Sequence, residues 1–327
     1  MALERVCVIG AGTIGSLVAA HLARVAPVSV LTRRPEHAAA LSEHGLRVSG
    51  KAEFTARVSA TSEPAELDDF DLGVFATKAT GLEAAASLVA GRAPGAAMMT
   101  MQNGLGAEEV VSRQGPWPLI SSVTFMSGIR HGDAHVEYEL DTATWMGPYA
   151  GTRTSPELVA EVGGMFRAGG LKAEVFDDLR PAQWSKLIFN AAVNGTAALT
   201  GLPHVRLFAQ REEHWHLGHL LHDLIAEGRA VAAAAGVELR EDPWDMNCLA
   251  VERGETAHAD YAHLPSMLED VEARRPTEVE AINGQLVRAG ERLGVPVPLN
   301  AAVYRLVKAK EESWKLARPT PEEAVLR

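Results

Sequence analysis

The chain has 327 residues, 47% of them apolar and 22% charged, with a formal net charge of −11. That length and mixture allow two cores of ordinary domain size, and the acidic balance argues against a protein that wraps nucleic acid. No apolar run approaches the roughly 18–20 residues that span a bilayer, so no membrane role is expected.

Cys7 and Cys248 are too few for a disulfide framework, and the chain enters a strand-like run without a charged, cleavable apolar leader. A reducing, cytoplasmic setting is therefore expected. Short apolar runs predict strands at Arg5 to Ile9, Val28 to Leu31, Leu72 to Ala76 and Ala97 to Met101, alternating with helices at Ile14 to Val25, Pro35 to His44 and Gly81 to Ala90. This alternation predicts a mostly parallel sheet with helices on its faces. After Pro118, alternating segments at Leu119 to Met126, His135 to Leu140 and Thr144 to Gly147 predict added strands that close the domain. A helix near Pro156 to Ala168 and a strand near Ala173 to Phe176 complete it. From Pro181 onward strand signals nearly vanish. The expected organisation is an α/β N-terminal Rossmann-type doubly wound sheet over residues 1–178 and an all-α C-terminal domain over 179–327.

Gly10-Ala11-Gly12-Thr13-Ile14-Gly15 follows the first strand directly and opens an apolar-periodic helix. In that context the motif predicts dinucleotide binding. The first glycine makes the turn, the second lets backbone N–H groups reach a pyrophosphate, and the third lets helix and strand pack closely. The end of the second strand, Thr32-Arg33-Arg34, has two arginines and no acidic residue to bind ribose hydroxyls. This favours NADPH, with Arg33 or Arg34 pairing with the 2′-phosphate; two solvated arginines on a turn are the alternative. Thr77-Lys78-Ala79 and Gln102-Asn103-Gly104 stand at carboxyl ends of strands, where an open parallel sheet lines its ligand crevice, although either alone is also an ordinary turn.

Lys186, Asn190 and Asn194 lie at i, i+4 and i+8 in an otherwise apolar helical segment, so they share one stripe. The stripe must meet solvent, a polar partner or a ligand, because buried unpaired amides and ammonium groups are costly. Farther on, Ser266 reads as a helix cap, and Thr277 and Glu278 read as the start of a further helix. His214, His216, His219 and His222 recur at helical spacing without accompanying acidic or cysteine ligands. They read as a solvated or inter-subunit helix face, and no metal is expected.

Taken together, the glycine motif, Thr-Lys-Ala, Gln-Asn-Gly, Lys-x3-Asn-x3-Asn, Ser-Met-x2-Asp, Thr-Glu and Asn-Gly resemble the ketopantoate reductase family in order and spacing over nearly the whole chain. The resemblance implies a two-domain fold with its active site in the cleft, and NADPH-dependent reduction of a 2-oxo acid to a 2-hydroxy acid. By motif position it implies that Lys186 is the general acid, with Glu278 the second polar group of the site near the nicotinamide ribose. It implies cofactor contacts at Gly10, Ala11, Gly12, Thr13, Ile14, Gly15, Arg33, Lys78, Asn103, Gly128 and Glu278, and substrate contacts at Asn103, Lys186, Asn190, Asn194 and Ser266. The partners expected are a small-molecule 2-oxo acid and, as an assembly, a homodimer. His204 and His263 replace asparagines that enzymes acting on ketopantoate itself often carry, which opens the choice of another branched or aromatic 2-oxo acid. The rivals are a dehydrogenase of similar architecture and a non-enzymatic NADPH sensor; the sensor would have no need of Lys186.

Overall fold

The structure, a computed structural model, describes residues 3–211, 216–256 and 264–316. Two compact units divide at Gln183 and Trp184, inside one long helix. His214 and His263 lie outside the described residues.

The first unit is built on an eight-stranded sheet. Its central strands β1 (Val6–Ile9), with β2 (Val28–Leu31) and α1 (Thr13–Leu22) following, begin the fold; then come α2 (Pro35–His44), β3 (Leu46–Gly50), β4 (Phe54–Ala56) and β5 (Ser59–Thr61). Next are β6 (Leu72–Phe75), α3 (Leu82–Val89), β7 (Ala97–Thr100), α4 (Ala107–Ser112) and β8 (Leu119–Thr124). The unit continues with β9 (Ser127–Gly132), β10 (His135–Leu140), β11 (Thr144–Pro148), α5 (Pro156–Gly169) and β12 (Ala173–Val175). Strands β5-β2-β1-β6-β7-β8 run parallel in that order, and β11 joins antiparallel to β8 with β12 beside it. Every residue of β1, β6 and β7 is buried, which is why these strands read as uninterrupted apolar runs: helices cover both faces. The order of strands reverses its direction of growth between β1 and β6. Their carboxyl ends therefore flank the switch point at which an open sheet holds its ligand.

The segment at His135 to Leu140, expected as one of the added strands that close the domain, is a strand of a second sheet of order β4-β3-β10-β9. The physical reason lies in its partners. β3 pairs parallel with β10 in the register Val48↔Val136, and Leu46, Val48, Val136 and Tyr138 turn inward onto Leu17 and its neighbours of α1 in one core. This sheet roofs the glycine-motif helix. Among the other helices, α5 follows cap chemistry closely: Ser155 accepts a hydrogen bond from the Leu158 amide, Pro156 opens the first turn and Gly170 ends it in the left-handed region.

The second unit holds most of α6 (Arg180–Thr200) and then α7 (His216–Ala234), α8 (Pro243–Thr256), α9 (Ser266–Glu272), α10 (Asn283–Leu293) and α11 (Pro298–Ser313), with no strand among the described residues. Buried asparagines join its helices. Asn283 donates to the Ala191 carbonyl at 2.8 Å, and Asn300 donates to the Leu224 carbonyl at 3.0 Å. Close approach depends on glycines: a β-carbon on Gly228 would lie 2.7 Å from Ile188 Cγ2, and one on Gly195 would lie 2.5 Å from Val303 Cγ1. No helix of the described residues is long and apolar enough to cross a membrane.

Candidate active site

The glycine loop occupies the end of β1. Gly10 has φ +105°, a conformation that side chains oppose, and a β-carbon there would also sit 2.7 Å from Thr77 Cγ2. A β-carbon on Gly15 would overlap the Gly10 carbonyl oxygen, so this glycine sets how closely α1 packs on the sheet. Gly12 differs from both. It is exposed, and a β-carbon would meet nothing within 4 Å. It forms the N-cap of α1, with no side chain capping the helix and no acidic residue in the first turn, so the positive helix end faces open space. Ala11, Thr13 and Ile14 lie between these fixed points.

Residues at the ends of β6 and β7 complete the crevice. Gln102 donates through Nε2 to the carbonyls of Phe75 and Thr77, both at 2.9 Å, which ties the two strand ends together. Among the described residues the hydroxyl of Thr77 and the amide oxygen of Gln102 are buried without a hydrogen-bond partner, so both have capacity for a polar ligand. A dinucleotide fits this set: open amides for a pyrophosphate, buried polar atoms at the switch point, and no carboxylate in the first helical turn. Lys78 is exposed just after β6, and Asn103 is half-buried after β7.

At the end of β2 the two arginines part. Arg34 forms an ion pair with Asp133 from the turn between β9 and β10, whereas Arg33 is exposed and has no ion-pair partner among the described residues. Of the two, Arg33 is the one positioned to take a new anion. Strand β9, which leads into that turn, contributes a residue that the sequence did not reveal. Arg130 donates to the Ala11 carbonyl at 3.2 Å, across 119 positions of sequence, where no local pattern connects them. Gly128 lies in β9, where a β-carbon would collide with the Glu137 carbonyl of β10 and touch Leu17 of α1. Its small size is required by packing alone.

In the second unit, Lys186, Asn190 and Asn194 share one stripe of α6. The asparagines are only 5% and 6% exposed, which excludes a solvated stripe, and the Asn194 side-chain oxygen is buried without a partner among the described residues. Burial pushes the Lys186 ammonium from 10.5 down to about 8, and the negative charge of Glu278 opposes the shift. Structure thus couples Lys186 to Glu278 across 92 positions. Glu278, 7% exposed, lies in a turn. The helix expected to begin at Thr277 begins at Asn283 instead, because Thr277 uses its amide and hydroxyl to reach Glu311 on α11. Ser266 is the first residue of α9 and half-buried; Pro265 occupies the cap position assigned to it from sequence. His204 stacks on Phe189, with ring centroids 6.4 Å apart and planes 2° apart, and its other neighbour is Phe208. On α7, His222 packs edge-on against Trp244.

The family model for ketopantoate reductase PanE/ApbA matches residues 6–151, and that for its C-terminal domain matches residues 178–311. A 2-dehydropantoate 2-reductase of Archaeoglobus fulgidus is 31% identical over 313 residues, spanning 95% of this chain and 99% of that one. A PanE/ApbA family ketopantoate reductase from Ralstonia eutropha JMP134 superposes with a TM-score of 0.82 at 29% identity, covering 96% of this chain and 100% of the other. A 2-dehydropantoate 2-reductase from Methylococcus capsulatus gives 0.81 at 27% identity, with 96% and 98% covered.

Proposed function

The chain belongs to the ketopantoate reductase family, and on that premise we propose that it reduces 2-dehydropantoate to pantoate with NADPH, using Lys186 as proton donor. At the coarser level it is an oxidoreductase of the 2-oxo acid and 2-hydroxy acid pair that works with a nicotinamide dinucleotide. The observation that carries the finer reading is the lysine held near 8 in a buried amide stripe, with a carboxylate acting on it.

The glycine loop, Thr77, Gln102 and Asn103 would hold the dinucleotide, and Arg33 with Lys78 would supply cations for its phosphates. When bound, the reduced nicotinamide supplies hydride. The remaining work falls to the chain's own residues. Negative charge develops on the ketone oxygen as its carbon is reduced; an ammonium beside that oxygen stabilises the charge and then transfers its proton. A lysine poised near 8 keeps its proton at neutral pH yet releases it more readily than a solvated one. Asn190, Asn194 and Ser266 bind a small carboxylate and hydroxyls through neutral donors, adding no charge that would offset the lysine. Glu278 limits how far burial depresses Lys186.

A second substrate reading has an observation of its own. The aromatic stack of Phe189, His204 and Phe208 begins one position before Asn190, and an aromatic wall favours a 2-oxo acid with a larger apolar group. The test is consumption of NADPH with 2-dehydropantoate beside a panel of branched and aromatic 2-oxo acids, repeated with NADH. Preferential turnover of 2-dehydropantoate upholds the first substrate; turnover confined to an aromatic acid replaces it with the second. No turnover on any of them removes the reductase assignment.

A further inference from the structure

Glu278 sits in the turn between α9 and α10, and a turn fixes a side chain less firmly than a helix does. What holds this one is α11. The Thr277 amide and hydroxyl both donate to Glu311 Oε1 at 2.7 Å, and the same hydroxyl accepts from the Val279 amide at 3.2 Å. Glu311 is itself held by Lys308, whose ammonium donates to Oε2 at 3.0 Å. Two residues beyond Glu278, Glu280 accepts from Tyr304 of α11 at 2.7 Å and pairs with Arg288. Glu278 is thus bracketed by Thr277 and Glu280, each tied by a carboxylate bond that involves α11. Thr277 is buried, so these donors would otherwise lack water as well as a partner.

We infer that Glu311 is a positioning residue for the reaction: by fixing Thr277 it fixes the carboxylate of Glu278, and with it the negative charge that acts on Lys186. The inference rests on Lys186 being the proton donor. The charged groups concerned are few. Glu278 acts on Lys186; Lys308 from its own helix acts on Glu311; Glu280, Arg288 and Lys308 surround the far side of the turn. Because Glu278 raises the lysine against burial, loosening the turn lowers it, and the alkaline loss of reductase activity moves to lower pH.

The test is kcat against pH for the full chain at saturating NADPH and 2-dehydropantoate. Glu311→Ala shifts the alkaline limb downward by about one pH unit, with KM for NADPH unchanged. Glu311→Gln keeps an oxygen that accepts both Thr277 donors, and its limb stays with that of the unmodified chain. Thr277→Val removes one donor, leaves the amide bond to Glu311, and gives a smaller shift in the same direction; it decides the matter should Glu311→Ala not fold. Residues that only glued α11 to the turn would lower stability without moving the limb. An unmoved limb in the folded Glu311→Ala chain, or in Thr277→Val where the former does not fold, overturns the inference alone if Lys186→Ala is inactive. Full turnover by Lys186→Ala overturns the proton-donor reading and this inference with it.

Discussion

In the proposed reaction the proton comes from Lys186 Nζ, and burial is the force that sets its availability. Since the folded lysine is lowered to about 8, the protonated form dominates below that pH and is lost above it. Reduction should therefore slow as pH rises through about 8, while the reverse oxidation, which needs a proton acceptor, should quicken over the same interval. A pH profile of kcat in both directions checks this, and a reduction rate that stays flat into the alkaline range would sink it. Lys186→Ala should lose roughly 10²–10⁴-fold in kcat. The glycine loop offers a sharper contrast between function and fold. Gly12→Ala places a methyl in open space at an ordinary φ of −75°, so thermal stability should hold while KM for NADPH rises. Gly15→Ala places it on the Gly10 carbonyl and should lower the melting temperature as well. Equal melting temperatures for the two variants would mean that the third glycine does not set helix-to-strand packing.

Secondary-structure elements were legible in the sequence where burial was two-sided or strictly periodic. β1, β6 and β7 are apolar throughout because helices cover both faces, and α6 announced itself through amides at helical spacing. Strands β3, β4 and β5 were not legible. They have 3 to 5 residues each; β3 and β4 mix buried with exposed positions and β5 buries no residue fully, and β3 finds its partner β10 across nearly 90 residues of sequence. Of the candidate site, the glycine loop and the Lys186 stripe could be read from local spacing, whereas Arg130 on the loop and Glu311 behind Glu278 arise from tertiary contacts that leave no local signature. The start of α11 shows the same limit. Val297 at its N-cap offers no side-chain oxygen, and the cap comes from Glu227 on α7, which accepts from the Leu299 and Asn300 amides and the Asn300 side chain, all at 2.9 Å. Glu227→Ala should cost about 1–3 kcal/mol, seen as a lower urea midpoint at unchanged slope, with KM for NADPH unaffected. An unaltered midpoint would assign the helix start to Pro298 and core packing instead.

For the molecule as a whole, the proposed reaction asks a chain of net charge −11 to bind an anionic cofactor and an anionic substrate, so recognition would fall to local cations, and the candidate cations belong to different compact units. Arg33 and Lys78 belong to residues 1–183, and Lys186 belongs to residues 184–327. Cofactor holding and proton delivery should then be separable by mutation. A ligand that binds only the folded state stabilises it by about 2.7 kcal/mol at a hundredfold excess over Kd. NADPH should give Lys186→Ala the same rise in melting temperature as the unmodified chain, and should slow hydrogen exchange over residues 10–16 and 76–79 in both. Arg33→Ala should lose part of that rise with NADPH and little of it with NADH, because only the former carries a 2′-phosphate. Should Lys186→Ala lose the NADPH increment while Arg33→Ala keeps it, the lysine would be a holder of the cofactor, and the division of labour between the two units would have to be redrawn.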